Sequence, residues 1–196
     1  RINELGLFAH IHPAISWNKF TQRGMKKLLT NNLTEEWDKY LSLDMHNLLI
    51  QGAYAILLMR MPLSDLQKVI NRLRFKNDLQ KKLTAANQIW HNKSLFSSLT
   101  PGELCQTLEK YPALAIYCNW ITEENKDLQK KFEQFVYHWR LIYPKTTGDD
   151  LKQYGIPPGP IYHRILEKLR IAWINNEINN KDQEKKLLNE ILSKPF

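Results

Sequence analysis

Between Arg60 and Lys82 the sequence sets seven cations, Arg60, Lys68, Arg72, Arg74, Lys76, Lys81 and Lys82, against Asp65 and Asp78. That density suits a polyanion, most often nucleic acid, or else a solvated helical face. Lys68, Arg72 and Lys76 recur at i, i+4 and i+8, opposite the apolar series Leu66, Val69, Ile70 and Leu73. On one helix they would form a solvent-facing row with neighbours about 6 Å apart, near the spacing of successive phosphates on a strand. Lys81 and Lys82 would extend the row past a turn near Asn77.

A second candidate runs from Thr146 to Tyr162. Thr147 suits the cap of a short helix opened by Gly148, Asp149, Asp150 and Leu151, with both acids at the positive end of its dipole. Gly155 stands where a helix end needs a left-handed residue. Pro157 and Pro158 forbid continuation, and Gly159-Pro160 starts the next helix. Free N–H groups at Gly159–Tyr162, with Arg164 and Lys168 beside them, could receive a phosphate. The competing reading is a rigid elbow that only aims two helices.

Other combinations carry less chemistry. Asp149 and Asp150 diverge by about 100° on a helix and do not readily share a metal ion. His10-x-His12 lacks the i, i+4 spacing and further ligands of a metal site. Cys105, Cys118 and His138 make no nucleophile–base pattern. Trp17, Trp37, Trp90, Trp120, Trp139 and Trp173 fall mostly on apolar stripes, where packing is expected rather than base stacking.

The elements that must position these groups are helical almost throughout. Leu79, Leu83, Ala86 and Trp90 form one stripe. Leu128, Phe132, Phe135, Val136 and Trp139 form another, on a helix expected from about 123 to 142. Ile161, Ile165, Leu166, Leu169, Ala172 and Trp173 form a third. Leu48–Leu58, apolar nearly all round, is expected as the buried central helix. Ser64-Asp65-Leu66-Gln67 and Thr100-Pro101-Gly102-Glu103 read as capping boxes. No strand pattern is found. The expected fold is all-α, an irregular bundle of about seven to ten helices in two subdomains, 1–92 and 99–196, joined by a polar stretch at 92–98.

Composition agrees with a packed protein, at 43% hydrophobic and 24% charged residues in a chain of net charge +8. The longest apolar run, Leu48–Met59, falls well short of a bilayer span. With two cysteines and no charged-then-apolar leader, a cytoplasmic setting without membrane contact is expected. The opening on Arg1, running at once into Leu5, Leu7, Phe8 and Ile11, is expected of a piece of something longer.

Tyr137-x-Trp139-Arg140-x-x-x-Pro144, then Thr147-Gly148-Asp149-Asp150-Leu151-Lys152 and Gly155-Ile156-Pro157-Pro158-Gly159-Pro160-Ile161-Tyr162, resemble the C-terminal region of bacterial tRNA nucleotidyltransferases. These are the CCA-adding, A-adding and poly(A) polymerase-like enzymes. Leu5-Gly6-Leu7 with Ile11-His12-Pro13, and Arg72-Leu73-Arg74, resemble the branch that also carries CBS domains. The resemblance implies a helical body and tail that hold the acceptor stem and TΨC arm of tRNA. It places catalysis, with Mg²⁺ and ATP or CTP, in an N-terminal head, followed by a nucleotide-reading neck. This sequence contains no Gly-Ser dipeptide, Asp-x-Asp triplet or Glu-Asp-x-x-Arg motif. It is therefore expected to bind RNA, to have the head and neck of the same polypeptide as partners, and to be inactive alone. A helix–hairpin–helix-like DNA-binding module and a helical protein scaffold are the alternatives.

Overall fold

Asn18, Thr34, Asp44, Thr147 and Asn180 each accept a hydrogen bond from the backbone N–H three residues on, so five helices start on a side-chain cap. Thr100 and Glu103 complete the expected capping box. The computed structural model describes residues 6–193, among which no strand occurs. The helices are α1 (Leu7–Ile11), α2 (Lys19–Thr30), α3 (Glu35–Leu41), α4 (Met45–Leu58), α5 (Leu63–Leu73), α6 (Asn77–His91) and α7 (Lys93–Ser98). There follow α8 (Pro101–Leu108), α9 (Ala113–Thr122), α10 (Lys126–Tyr137), α11 (Gly148–Gln153), α12 (Pro160–Ile174) and α13 (Lys181–Leu192), with a 3₁₀ turn at Trp139–Leu141. The all-α expectation is met, and ten of the thirteen helices have seven residues or more. Leu5 of the N-terminal motif lies outside the described residues.

Two compact units are present: Arg1–Ser98 with Leu108–Val136, and Leu99–Thr107 with Tyr137–Phe196. This differs from the continuous 1–92 and 99–196 division, because residues 108–136 return to the first unit. The reason is α9. Leu114, Ala115, Ile116, Tyr117 and Cys118 are all buried, and α9 packs on α2, α3, α4 and α6. Trp37 lies against Tyr117 and Trp120, with ring centroids 5.3 and 4.8 Å away. The α4 helix is central too, packing on α2, α6 and α9, but Ile50 is 44% exposed, so one of its faces is open.

Four local expectations are corrected. Ser64 caps nothing: α5 begins at Leu63 behind Pro62, whose carbonyl accepts from Asp65 and Leu66 N–H. The 92–98 stretch, expected as a polar joint between subdomains, is largely α7, held by Phe96, which is buried with its ring 6.2 Å from Tyr111. The helix expected at 123–142 is shorter at both ends. Asn125 accepts from Asp127 and Leu128 N–H at the start of α10, and the chain breaks at His138. Finally, α5 stops at Leu73, with Arg74 left-handed at φ 53° and Phe75 packed on Tyr54 at 4.9 Å.

In the second unit α12 and α13 close a core of Leu151, Ile165, Leu169, Leu188 and Ile191. Gly102 of α8 approaches α12 so closely that a Cβ there would lie 2.8 Å from Ile171 Cγ2, and its N–H donates to Asn175 Oδ1 at 2.8 Å.

Candidate nucleic-acid interface

The end of α5 breaks the expected basic row. Lys68 and Arg72 are exposed on α5, but Lys76 is the residue before α6 and so leaves the i, i+4, i+8 line. Lys68 donates to Asp65 at 2.9 Å. Lys81 is exposed on α6, where with Lys110, Gln80, Gln88 and Tyr111 it lines an open groove of about 700 Å³. Lys82 is not a free cation. Its side chain is only 15% exposed, pairs with Asp78 at 2.6 Å and donates to Gln51 at 3.0 Å. Sequence spacing placed Lys82 beside Lys81; the inward turn of that helical position ties it to α4 instead.

In the second unit the 146–162 stretch takes the path read from its residues. Thr147 and Asp150 form a reciprocal capping box, with Thr147 N–H to Asp150 at 2.7 Å. The Thr147 bonds hold the Asp150 carboxyl below its ordinary pKa, helped by Lys181 and Lys185. Gly148 faces Tyr162, and Leu151 is fully buried. Gly155 is left-handed at φ 75°, and Ile156 N–H returns to Leu151 O at 3.3 Å. Tyr162 donates from its hydroxyl to Ile156 O at 2.8 Å, which staples the start of α12 to the end of α11. Past Pro157 and Pro158, Gly159 is extended (φ 166°) and a Cβ there would meet nothing, so neither strain nor crowding demands glycine. Pro160 opens α12, from which Arg164 and Lys168 project as exposed residues one turn apart.

One residue absent from the sequence reading organises this region. Glu184 of α13 is 1% exposed. It accepts from Lys145 N–H at 2.9 Å, from Thr146 N–H at 2.6 Å and from the Thr146 hydroxyl at 2.5 Å; Trp173 Nε1 also donates to it. Burial pushes its carboxyl up, but those four donors outweigh burial and leave the pKa below the ordinary value. Nothing in the local sequence marks Glu184, since its partners lie 11 to 39 residues away.

His12 Nδ1 accepts from Ala14 N–H and its Nε2 lies 3.8 Å from Asp65, while His10 sits within α1. Cys105 and Cys118 are buried and in no disulfide; Arg170 Nη2 donates to Cys105 Sγ at 3.9 Å, and burial raises the pKa of Cys118. Among the described residues no three His, Cys, Asp or Glu side chains gather as a metal site, and no helix is long and apolar enough to cross a membrane. Trp90 already carries two cations: Lys93 Nζ is 3.3 Å and the Arg60 guanidinium 5.1 Å from its ring. Burial lowers the Lys93 pKa against the opposing pull of Glu123, 2.7 Å away.

Compared with known proteins, the chain matches no family model. Over 61 residues, 31% of this chain, it is 36% identical to the A-adding tRNA nucleotidyltransferase of Geobacter sulfurreducens, a match spanning 7% of that enzyme. Its structure superposes on the Thermotoga maritima CCA-adding enzyme complexed with tRNA at a TM-score of 0.70 and 14% identity. That superposition covers 98% of this chain and 46% of the Thermotoga chain. The fold is that of the matched part of the Thermotoga enzyme, of which this chain spans less than half. In the second unit the capping box, the Gly155 turn and the α12 start are joined through Leu151, Ile156 and Tyr162, which pack in or against its core, and Glu184 holds the stretch of chain that leads into them.

Proposed function

We propose that this chain is the RNA-holding helical region of a tRNA nucleotidyltransferase, gripping the acceptor and TΨC arm so that the 3′ end reaches a catalytic head. The observation that supports this best is the coincidence of two likenesses to one family, in sequence over 61 residues and in fold over nearly the whole chain. The mechanism is positional. Lys68, Arg72, Lys76 and Lys81 contact phosphates without reading bases, and the Gly159 and Ile161 N–H groups, flanked by Arg164 and Lys168, take a second backbone segment, whereas Pro160 has no N–H and that of Tyr162 donates to Gly159 O at 3.0 Å. Lys82, neutralised by Asp78, is withdrawn from the path. Mg²⁺ and ATP or CTP belong to the head in this reading, so the chain alone incorporates neither nucleotide into tRNA.

The test is a salt titration of tRNA binding by the chain and by its Lys68→Ala/Arg72→Ala/Lys81→Ala variant. The variant is expected to bind more weakly, with a slope of log K against log salt shallower by up to about 0.7–0.9 per lost contact. Its thermal stability should hardly move, because exposed charges contribute little to folding. Equal affinity for tRNA and duplex DNA would favour a DNA-binding module, and absence of binding at low salt would favour a protein scaffold.

A further inference from the structure

We propose that Tyr143 is a stacking platform for an unpaired or terminal nucleobase of the bound RNA; the proposal rests on the RNA-binding reading above. The loop that carries it joins the 3₁₀ turn to α11 and is fixed on both sides by charged side chains. On one side Arg170 of α12 donates from Nε to Ile142 O at 2.8 Å and from Nη2 to Arg140 O at 3.4 Å. On the other, the buried Glu184 carboxylate holds the Lys145 and Thr146 amides. Only Tyr143 and Pro144 lie between the two clamps, and the proline ring restricts the backbone further.

The same Arg170 guanidinium sits 5.2 Å from the centroid of the Tyr143 ring, within cation–π range, and so backs one of its faces. The residue is nevertheless 65% exposed, which leaves the rest of the ring to solvent; Leu141, two positions earlier, is 58% exposed. An apolar ring ordinarily gains by burial, yet here the backbone on both sides of Tyr143 is clamped and the ring stays largely exposed. A clamped backbone lowers the ordering cost that a partner would otherwise meet. Nucleobases offer a flat π-face whatever their sequence, and aromatic side chains are the groups on which they stack. The contact is non-ionic, which separates it from the phosphate contacts of α5 and α6.

The experiment measures binding of a fluorescent tRNA transcript to the full chain and to its Tyr143→Ala and Tyr143→Phe variants across a salt series. Tyr143→Ala is expected to weaken binding at least about fivefold, with the wild-type salt slope, while Tyr143→Phe stays within about twofold. Thermal midpoints of all three should agree, since the ring is exposed. Unchanged affinity in Tyr143→Ala overturns the platform and leaves the ring to a protein contact. A loss accompanied by a shallower slope overturns it in favour of displaced phosphate contacts. An equal loss in Tyr143→Phe assigns the effect to the hydroxyl and overturns it too. If the wild-type chain binds no tRNA, the RNA-binding reading itself fails, and the platform with it.

Discussion

Glu184 concentrates more structural consequence than any basic residue in the chain. Its carboxylate satisfies two backbone amides that have no other partner within a repeating element, together with a hydroxyl and an indole N–H. Glu184→Ala takes the acceptor from those partly buried donors, and should cost about 1–3 kcal/mol in denaturant unfolding. Glu184→Gln keeps one good acceptor and should cost less. Because the folded pKa lies below the unfolded one, the charge's contribution is present above the unfolded value and is lost as pH falls through the folded value. The stability gap between wild type and Glu184→Gln should therefore be full at pH 7 and close progressively below about pH 4. A gap independent of pH would assign the effect to shape rather than charge. Thr147→Ala removes the bond that Thr147 Oγ1 accepts from Asp150 N–H and the one it donates to the Asp150 carboxylate, leaves the Thr147 N–H bond to Asp150 in place, and should cost about 1 kcal/mol by the same measurement.

Among elements, α2 and α4 cross at close range through two glycines. A Cβ at Gly24 would lie 2.7 Å from Ile56 Cγ2 and 3.0 Å from Thr122 Cγ2, and one at Gly52 would lie 3.0 Å from Leu28. The Ile56 contact is a methyl on a branched, stiff side chain, so it cannot swing aside cheaply. Gly24→Ala should therefore destabilise by about 1–2 kcal/mol, the overpacking outweighing the roughly 1 kcal/mol that alanine gains in helix propensity. A rise in melting temperature for this variant would contradict the crossing. The end of α5 is decided at the same scale. Periodicity runs through Leu73 and gives no stop there, whereas Phe75 packing on Tyr54 turns the chain and takes Lys76 off the basic row.

For the whole molecule, the discontinuous first unit predicts that a fragment of residues 1–98 lacks a cooperative thermal transition. It would lack α9, the helix that its other helices bury against. A sharp transition in that fragment would show the unit closed without α9. Helical class, most stripes, the Thr100 and Thr147 boxes, the Gly155 turn and the burial of both thiols were legible in the residue order, because each is set by period, dihedral preference or hydrogen bonding within a few positions. The return of 108–136 to the first unit, the pairing of Lys82, the clamps of Glu184 and Arg170 and the exposure of Tyr143 were not. Those join residues far apart in the chain, and which distant side chain meets which backbone amide depends on how helices cross in three dimensions, a quantity that no local pattern encodes.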